Sequence, residues 1–125
     1  MLTLPPSVRV YLALGPVDMR RGHDGLMAVV RSVWELDPCS GHLFVFLGRR
    51  RDRAKLLYWD RGGFVLVYKR LERGRFKVPE LRAGQTRAEI DGVQLAMLLD
   101  GIDVARVSRG RAWSPPARID SAAKV

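Results

Sequence analysis

Cysteine and long hydrophobic runs are almost absent from this sequence of 125 residues. The single cysteine, Cys39, cannot form an internal disulfide, which excludes a disulfide-stabilised secreted domain and makes a reducing cytoplasm the expected location. No stretch reaches the roughly 20 uninterrupted apolar residues that a membrane span needs, and Pro5, Pro6 and Arg9 interrupt the mildly apolar start. We therefore expect a soluble, cytoplasmic protein without a membrane partner.

Residue patterns of metal-binding and hydrolytic sites are also missing. The two histidines, His23 and His42, have no metal-ligand spacing with each other or with Cys39, and no CxxC, HExxH, GxxxxGKS or GxxxxGKT motif occurs. Aspartates that in principle bind Mg²⁺ for phosphoryl transfer are scattered, and helix caps, turns or arginine pairing explain most of them. The sequence predicts no enzyme, no catalytic residues, no cofactor and no metal site.

Acidic residues are too few to balance the basic ones. The chain has 13 Asp and Glu against 22 Lys and Arg, which leaves a formal charge of +9. Such a positive potential attracts polyanions, nucleic acid above all. Arginine supplies 18 of the basic residues and lysine 4, so a coding bias towards arginine is an alternative source of part of the excess.

The length is that of one compact domain, which buries about 65–70% of the surface of the unfolded chain. Periodic hydrophobic patterns extend to about residue 105, and the remainder is polar, basic and contains prolines. We therefore predict a single domain over residues 1–105 and a flexible tail over residues 106–125.

Four segments have the composition and alternation of strands, namely residues 8–14, 43–47, 55–59 and 64–71. The second is apolar throughout, as in a central strand buried on both faces. The last two are joined by Asp60–Gly63, which favours a tight hairpin. Residues 72–86 contain glycines and a proline and are predicted to be mainly loop, with a short edge strand near Phe76.

Two segments, residues 26–35 and 92–102, place apolar residues at helical spacing. Asp24 and Asp91 are the predicted N-caps of these helices, and Asp37 before a proline ends the first one. The fold class predicted from this order is α+β: a mostly antiparallel sheet of about four strands, including a central hairpin, with two helices packed on one face.

The clearest functional feature is a basic segment between the second strand and the hairpin. Its cationic residues are Arg49, Arg50, Arg51, Arg53 and Lys55. These like charges repel one another in the free protein, and a phosphate backbone relieves the repulsion by pairing with planar guanidinium groups. Asp52 is expected to pair with the flanking arginines and to order the loop. The alternative to phosphate binding by this segment is an exposed, solvated loop.

Further basic residues extend this surface. Arg20 and Arg21 precede the first helix, and a second group, at the end of the hairpin and beyond it, comprises Lys69, Arg70, Arg73, Arg75 and Lys77. On an extended strand Lys69 and Arg70 point to opposite faces, so only one of them joins a common surface. From this group we select Arg70 and Arg73.

The hairpin also carries four aromatic residues, which are Tyr58, Trp59, Phe64 and Tyr68. Aromatic side chains beside arginines stack on unpaired bases in proteins that bind single strands. Residues of this kind are more often buried in a core, and at least half of the set is expected to pack under the helices.

The ordered motifs resemble those of the TnpB-type accessory protein of the insertion-sequence 66 family of bacterial transposable elements. The matching segments are DMRRG from Asp18, RRRDR and a lysine from Arg49, YWD from Tyr58, and YKRLE followed by glycine and phenylalanine from Tyr68. The likeness covers residues 8–103, with Gly48 where the family usually has asparagine and Val78 where it often has tryptophan. The resemblance implies a protein that assists a separate, larger transposase in transposition and has no catalytic residues of its own.

The leading hypothesis is a non-catalytic, DNA-binding accessory protein that contacts phosphates. The predicted contact residues are Arg49, Arg50, Arg51, Arg53, Lys55, Arg20, Arg21, Arg70 and Arg73. The predicted partners are DNA and the transposase of the same element. The alternatives are an interaction module that docks on the transposase through Trp113 or the hairpin aromatics, and, less favoured, a small metal-dependent nuclease. Duplex, single-stranded DNA and RNA remain open as ligands, as does the oligomeric state.

Overall fold

A mixed five-stranded sheet forms the centre of the computed structural model, which describes residues 4–78 and 84–101. The strands are β1 (Val10–Ala13), β2 (Leu43–Leu47), β3 (Arg53–Asp60), β4 (Gly63–Arg70) and β5 (Arg87–Ile90). Their order across the sheet is β4-β3-β2-β1-β5. Strands β1 and β2 are parallel, whereas the other neighbouring pairs are antiparallel.

Two helical segments accompany the sheet. Helix α1 (His23–Ala28) continues directly into a π-helical turn over Val29–Val33, and helix α2 spans Gly92–Leu99. Val33 belongs to the predicted apolar stripe of the first helix but is 57% exposed. The wider π-helical turn changes the angular spacing of the last residues, so Val33 rotates away from the sheet while Trp34 stays buried.

The sheet has a hydrophobic core on each face, because alternate strand residues point to opposite sides. One core gathers Val10, Leu12, Val45 and Leu56 with Leu95 and Leu98 of α2. The other core gathers Tyr11, Phe44, Phe46 and Leu57 with Leu26, Val30 and Trp34 of the first helical segment. The two helices therefore cover opposite faces of the sheet, and β2 is buried on both.

Most of the predicted elements are confirmed. The α+β class, the buried strand β2 and the β3–β4 hairpin are present. Asp91 caps α2 through a capping box, in which its carboxylate accepts from the Gln94 N–H at 2.7 Å and the Gln94 side chain accepts from the Asp91 N–H at 2.9 Å.

Several details differ from the sequence prediction. The helices lie on opposite faces, not on one, and the hairpin forms an edge of the sheet. Gly22 precedes α1, while Asp24 lies inside its first turn. Strand β5 was missed because it has only four residues and no clear alternation, and Phe76 is a buried loop residue outside any strand. The domain end at residue 105 and the predicted tail over 106–125 lie outside the described residues.

Within residues 4–78 and 84–101, no helix is both long enough and apolar enough to cross a membrane.

Candidate nucleic-acid interface

The basic loop between β2 and β3 is a tight turn held by backbone hydrogen bonds. The Arg51 N–H donates to the Gly48 carbonyl at 3.0 Å, and the Gly48 N–H donates to the Arg53 carbonyl at 3.1 Å. Arg51 adopts the left-handed conformation, with φ of 60°. A Cβ atom on Gly48 would lie 2.8 Å from Cγ of Met19, so glycine lets the segment before α1 approach the loop closely.

The chain that follows β4 holds the same loop from another side. The Leu71 N–H donates to the Asp52 carbonyl at 2.7 Å, and the Phe76 N–H donates to the Arg51 carbonyl at 2.6 Å. Phe76 is 1% exposed and belongs to the core on the α2 face. The expected pairing of Asp52 with neighbouring arginines is absent among the described residues. Backbone hydrogen bonds and the Phe76 anchor order the loop instead.

A groove of about 540 Å³ lies between the basic loop and the segment that precedes α1. We call this cavity the basic groove, because four arginines line it: Arg20, Arg49, Arg50 and Arg53. The carboxylates of Asp18 and Asp52 belong to the same lining. The structure thus brings together residues that are about thirty positions apart in the sequence.

Most of the positive charge of the basic loop is not neutralised within the described structure. Arg49 and Arg50 are exposed, and Arg51 and Arg53 are half-buried. The ion pairs among the described residues join Arg9 to Glu89, Arg20 to Asp18 and Arg70 to Glu72. None of them involves Arg49, Arg50, Arg51 or Arg53, so no acidic side chain among the described residues offsets the charge of these four arginines.

Of the two aspartates that line the basic groove, Asp18 forms an ion pair with one of its arginines, Arg20. Its carboxylate accepts from Arg20 Nη2 at 2.7 Å and from Arg20 Nε at 3.1 Å, and the Arg20 N–H also donates to it. The side-chain hydrogen bonds from Arg20, more than the backbone one, hold the pKa of Asp18 well below its ordinary value of 3.8 and raise the pKa of Arg20. Because the folded-state pKa is the lower one, the pair stabilises the fold above pH 3.8, and this stabilisation is lost as the pH falls through the lowered pKa.

A larger groove, of about 930 Å³, lies at the other end of the central strands, between residues 4–9 and the start of α2. Its lining includes Arg9 and Glu89, which form an ion pair with each other at 3.8 Å. It also contains Asp91 of the capping box and several apolar residues. This lining has no excess of basic residues, so the basic groove is the better candidate for a polyanion.

The remaining predicted contact residues do not line the basic groove. Arg51 borders a narrow crevice beside Leu14 and Leu47. Arg70 stands opposite Arg53 in the hairpin register and pairs with Glu72 at 3.2 Å. Arg21 and Arg73 are exposed. Lys69 points to the other face, where its Nζ donates to the Leu99 carbonyl at 2.7 Å, as the alternation along the strand predicts.

Lys55 makes contacts that the sequence did not predict. Its Nζ donates to the carbonyls of Met19 at 2.7 Å and Arg21 at 2.8 Å, and lies 5.6 Å from the centre of the Tyr68 ring. An ammonium group has three donors, and two are used on these carbonyls. Lys55 therefore ties the segment that carries Arg20 to the sheet, instead of projecting freely towards a phosphate. The sequence alone contains no signal for this contact.

For the DNA-binding role predicted from the sequence, replacing Lys55 by methionine is expected to weaken binding roughly fivefold, on the order of the 1 kcal/mol that one hydrogen bond contributes. The slope of log K against log salt should stay at its wild-type value, since no phosphate contact is lost. Lys69→Met is the matched control, because it removes the same charge and a lysine–carbonyl bond on the other face. Fluorescence anisotropy across a salt series measures both quantities. A slope reduced by about 0.9 would instead assign Lys55 to a phosphate.

Three of the four hairpin aromatics pack against neighbours. Trp59 and Phe64 meet edge to face, with ring centres 5.0 Å apart. Tyr58 packs against the core on the α2 face, and Phe64 against the core on the α1 face. Tyr68 is the exception, with half of its surface exposed.

His42 and Cys39, two residue types that commonly bind metals, do not lie together in a group of metal ligands among the described residues. His42 accepts through Nδ1 from the Arg9 N–H at 3.0 Å and touches Tyr11 edge to face, and Cys39 is an exposed free thiol. Within residues 4–78 and 84–101, no three histidine, cysteine, aspartate or glutamate side chains are grouped so that they could hold a metal ion.

Comparison with known proteins agrees with the resemblance carried by the motifs. Residues 8–109 match the family model described as IS66 Orf2 like protein. Two proteins of Sinorhizobium fredii (strain NBRC 101917 / NGR234) are similar over 103 residues, 82% of this chain. The uncharacterized protein y4jC is 39% identical, with 86% of its length covered, and the uncharacterized protein y4hO is 43% identical, with 88% covered. No solved structure matches the chain. The chain therefore belongs to the IS66 Orf2-like family of insertion-sequence accessory proteins.

Proposed function

We propose that this protein is a non-catalytic, DNA-binding accessory factor in transposition, and that the basic groove contacts the phosphates. The observation that carries the proposal is the convergence of Arg49, Arg50 and Arg53 on one groove without an acidic partner among the described residues. Guanidinium groups bind phosphate oxygens through two parallel hydrogen bonds, which suits an array of arginines to a nucleic-acid backbone.

Arg53 supports the same assignment. Its Nε is buried and has no hydrogen-bond partner within the described residues. A buried donor without an acceptor costs free energy, and a ligand that offers an acceptor to Arg53 Nε would remove this cost. A phosphate in the groove would offer oxygens to the same planar group.

The rigidity of the loop favours binding. Four backbone hydrogen bonds hold the turn, two within it and two from the chain after β4. A loop that is already ordered loses little conformational entropy when it binds. Arg20 adds to the groove, although its charge is offset by Asp18, which a phosphate would have to replace as its partner.

Contacts of this kind set position and affinity more than sequence preference. We therefore propose that the protein holds DNA while the transposase of the same element provides the catalysis. Arg70, opposite Arg53 in the hairpin and paired with Glu72, and the exposed Arg73 extend the charged surface in this proposal.

A mobility-shift or anisotropy titration across a salt series tests the proposed function. Each neutralised phosphate lowers the slope of log K against log salt by about 0.9 for duplex DNA, so contacts by three arginines predict a slope of about −2.7 or steeper. The DNA should be recovered at full length after incubation with Mg²⁺. Absence of binding, a flat salt dependence or cleaved DNA would contradict the proposal.

A further inference from the structure

Tyr68 lies on the outer strand of the hairpin, on the same face as the basic groove. In the hairpin register Tyr68 is opposite Lys55, and Arg70 is opposite Arg53. Since alternate residues share a face, these four side chains project to one side of the sheet. Half of the Tyr68 surface is exposed, unlike the aromatics that pack nearer to the turn.

The Tyr68 ring contacts Lys55, and half of the Tyr68 surface stays exposed. Lys55 Nζ lies 5.6 Å from the ring centre, within the range of a cation–π contact, and is itself fixed by two carbonyls. On the core side, Leu66 precedes Tyr68 on the same face and packs against the α1 core. An aromatic ring with a fixed orientation and a large exposed area is suited to stacking against another planar group.

The charges around Tyr68 indicate the kind of group that would stack there. Arg53 is its diagonal neighbour across the strand pair, and Arg70, which pairs with Glu72, is two residues along the same strand. Arg53 also lines the basic groove. A planar group on Tyr68 would thus have guanidinium groups at its side, which complements a base attached to a negatively charged backbone.

We propose that Tyr68 is a stacking platform for an unpaired base, so that the ligand of the basic groove is nucleic acid with a single-stranded segment. Bases within a duplex are stacked on each other and cannot present a face to a side chain, whereas single strands stack on exposed aromatics beside basic grooves. This inference rests on the proposed function and narrows its ligand class.

The test compares Tyr68→Thr with Tyr68→Phe, each titrated with a single-stranded oligonucleotide and with a blunt duplex of the same length. Threonine suits an exposed strand position but has no ring, and phenylalanine keeps the ring. Tyr68→Thr is expected to lower the affinity for the single strand about tenfold or more while leaving the duplex affinity within about twofold. Tyr68→Phe should keep the wild-type preference. A ribonucleotide version of the single strand shows whether the platform accepts RNA as well as DNA, and either result supports an unpaired base as the stacked group.

A direct readout is the fluorescence of 2-aminopurine placed in the single strand, which stacking quenches. Wild type and Tyr68→Phe should quench it, and Tyr68→Thr should not. Quenching that is absent in the wild type, or an equal loss of single-strand and duplex affinity in a folded Tyr68→Thr protein, would overturn the inference. If duplex binding depends on the arginines but not on Tyr68, and single-strand binding does not depend on Tyr68 either, the proposed function stands and the stacking role of Tyr68 is wrong. If the wild type binds no nucleic acid, both the proposed function and the stacking role are wrong.

Discussion

Alanine at both Arg49 and Arg50 is expected to reduce the slope of log K against log salt by about 1.8 and to weaken DNA binding most strongly at low salt. Both side chains are exposed at the basic groove, and neither has an acidic partner among the described residues. Each phosphate contact contributes about 0.9 to the slope through counterion release. Anisotropy titrations at several salt concentrations measure slope and affinity together.

The control removes the same amount of charge from the opposite end of the sheet. Arg9 precedes β1, and Arg61 lies in the turn of the hairpin with φ of 43°. Arg9→Ala combined with Arg61→Asn serves this purpose, because asparagine tolerates the left-handed conformation. We expect the control to keep a salt slope close to that of the wild type. Equal effects of the two double variants would show that net charge, and not the groove, attracts DNA.

Phe76→Ala is expected to lower the free energy of unfolding by about 3–5 kcal/mol, the usual range for truncating a buried phenylalanine. Phe76 is 1% exposed, although it lies in a loop, and fills part of the core on the α2 face. Its N–H donates to the Arg51 carbonyl, so the loss of the side chain should also loosen the basic loop. Urea unfolding measures the stability, and DNA titration under conditions where the variant remains folded measures the effect on the groove.

Phe76→Leu is the matched variant for this prediction. Leucine retains most of the apolar volume, so the loss of stability should be below about 1.5 kcal/mol. DNA affinity should then be close to that of the wild type. A loss of less than 1 kcal/mol for Phe76→Ala would show that the residue does not anchor the loop to the core.

The basic groove was partly predictable from local sequence. The arginine cluster stands between a strand and a hairpin, both of which have strong local signals. The alternation along β4 correctly separated Lys69 from Arg70. Local pattern also identified the α2 cap, because a capping box involves residues only three positions apart.

Contacts between distant segments were not predictable in this way. Lys55 reaches the carbonyls of Met19 and Arg21 across more than thirty residues. The ordering of the loop by Phe76, in place of Asp52, likewise depends on where the chain returns after β4. The pairing of Asp18 with Arg20 is the exception, since two residues of opposite charge with one residue between them provide a local signal.

The amino-acid sequence by itself determined the charge of this protein, the identity of its family, its class of fold and the position of the basic loop along the chain. These properties follow from composition, ordered motifs and periodicity, none of which depends on how distant segments pack together. Only the tertiary structure decided that the helices cover opposite faces and that Lys55 supports the groove while Tyr68 faces solvent. Alternation shows that successive residues of a strand point to opposite faces of the sheet. Which segment covers each face depends on how distant parts of the chain pack together.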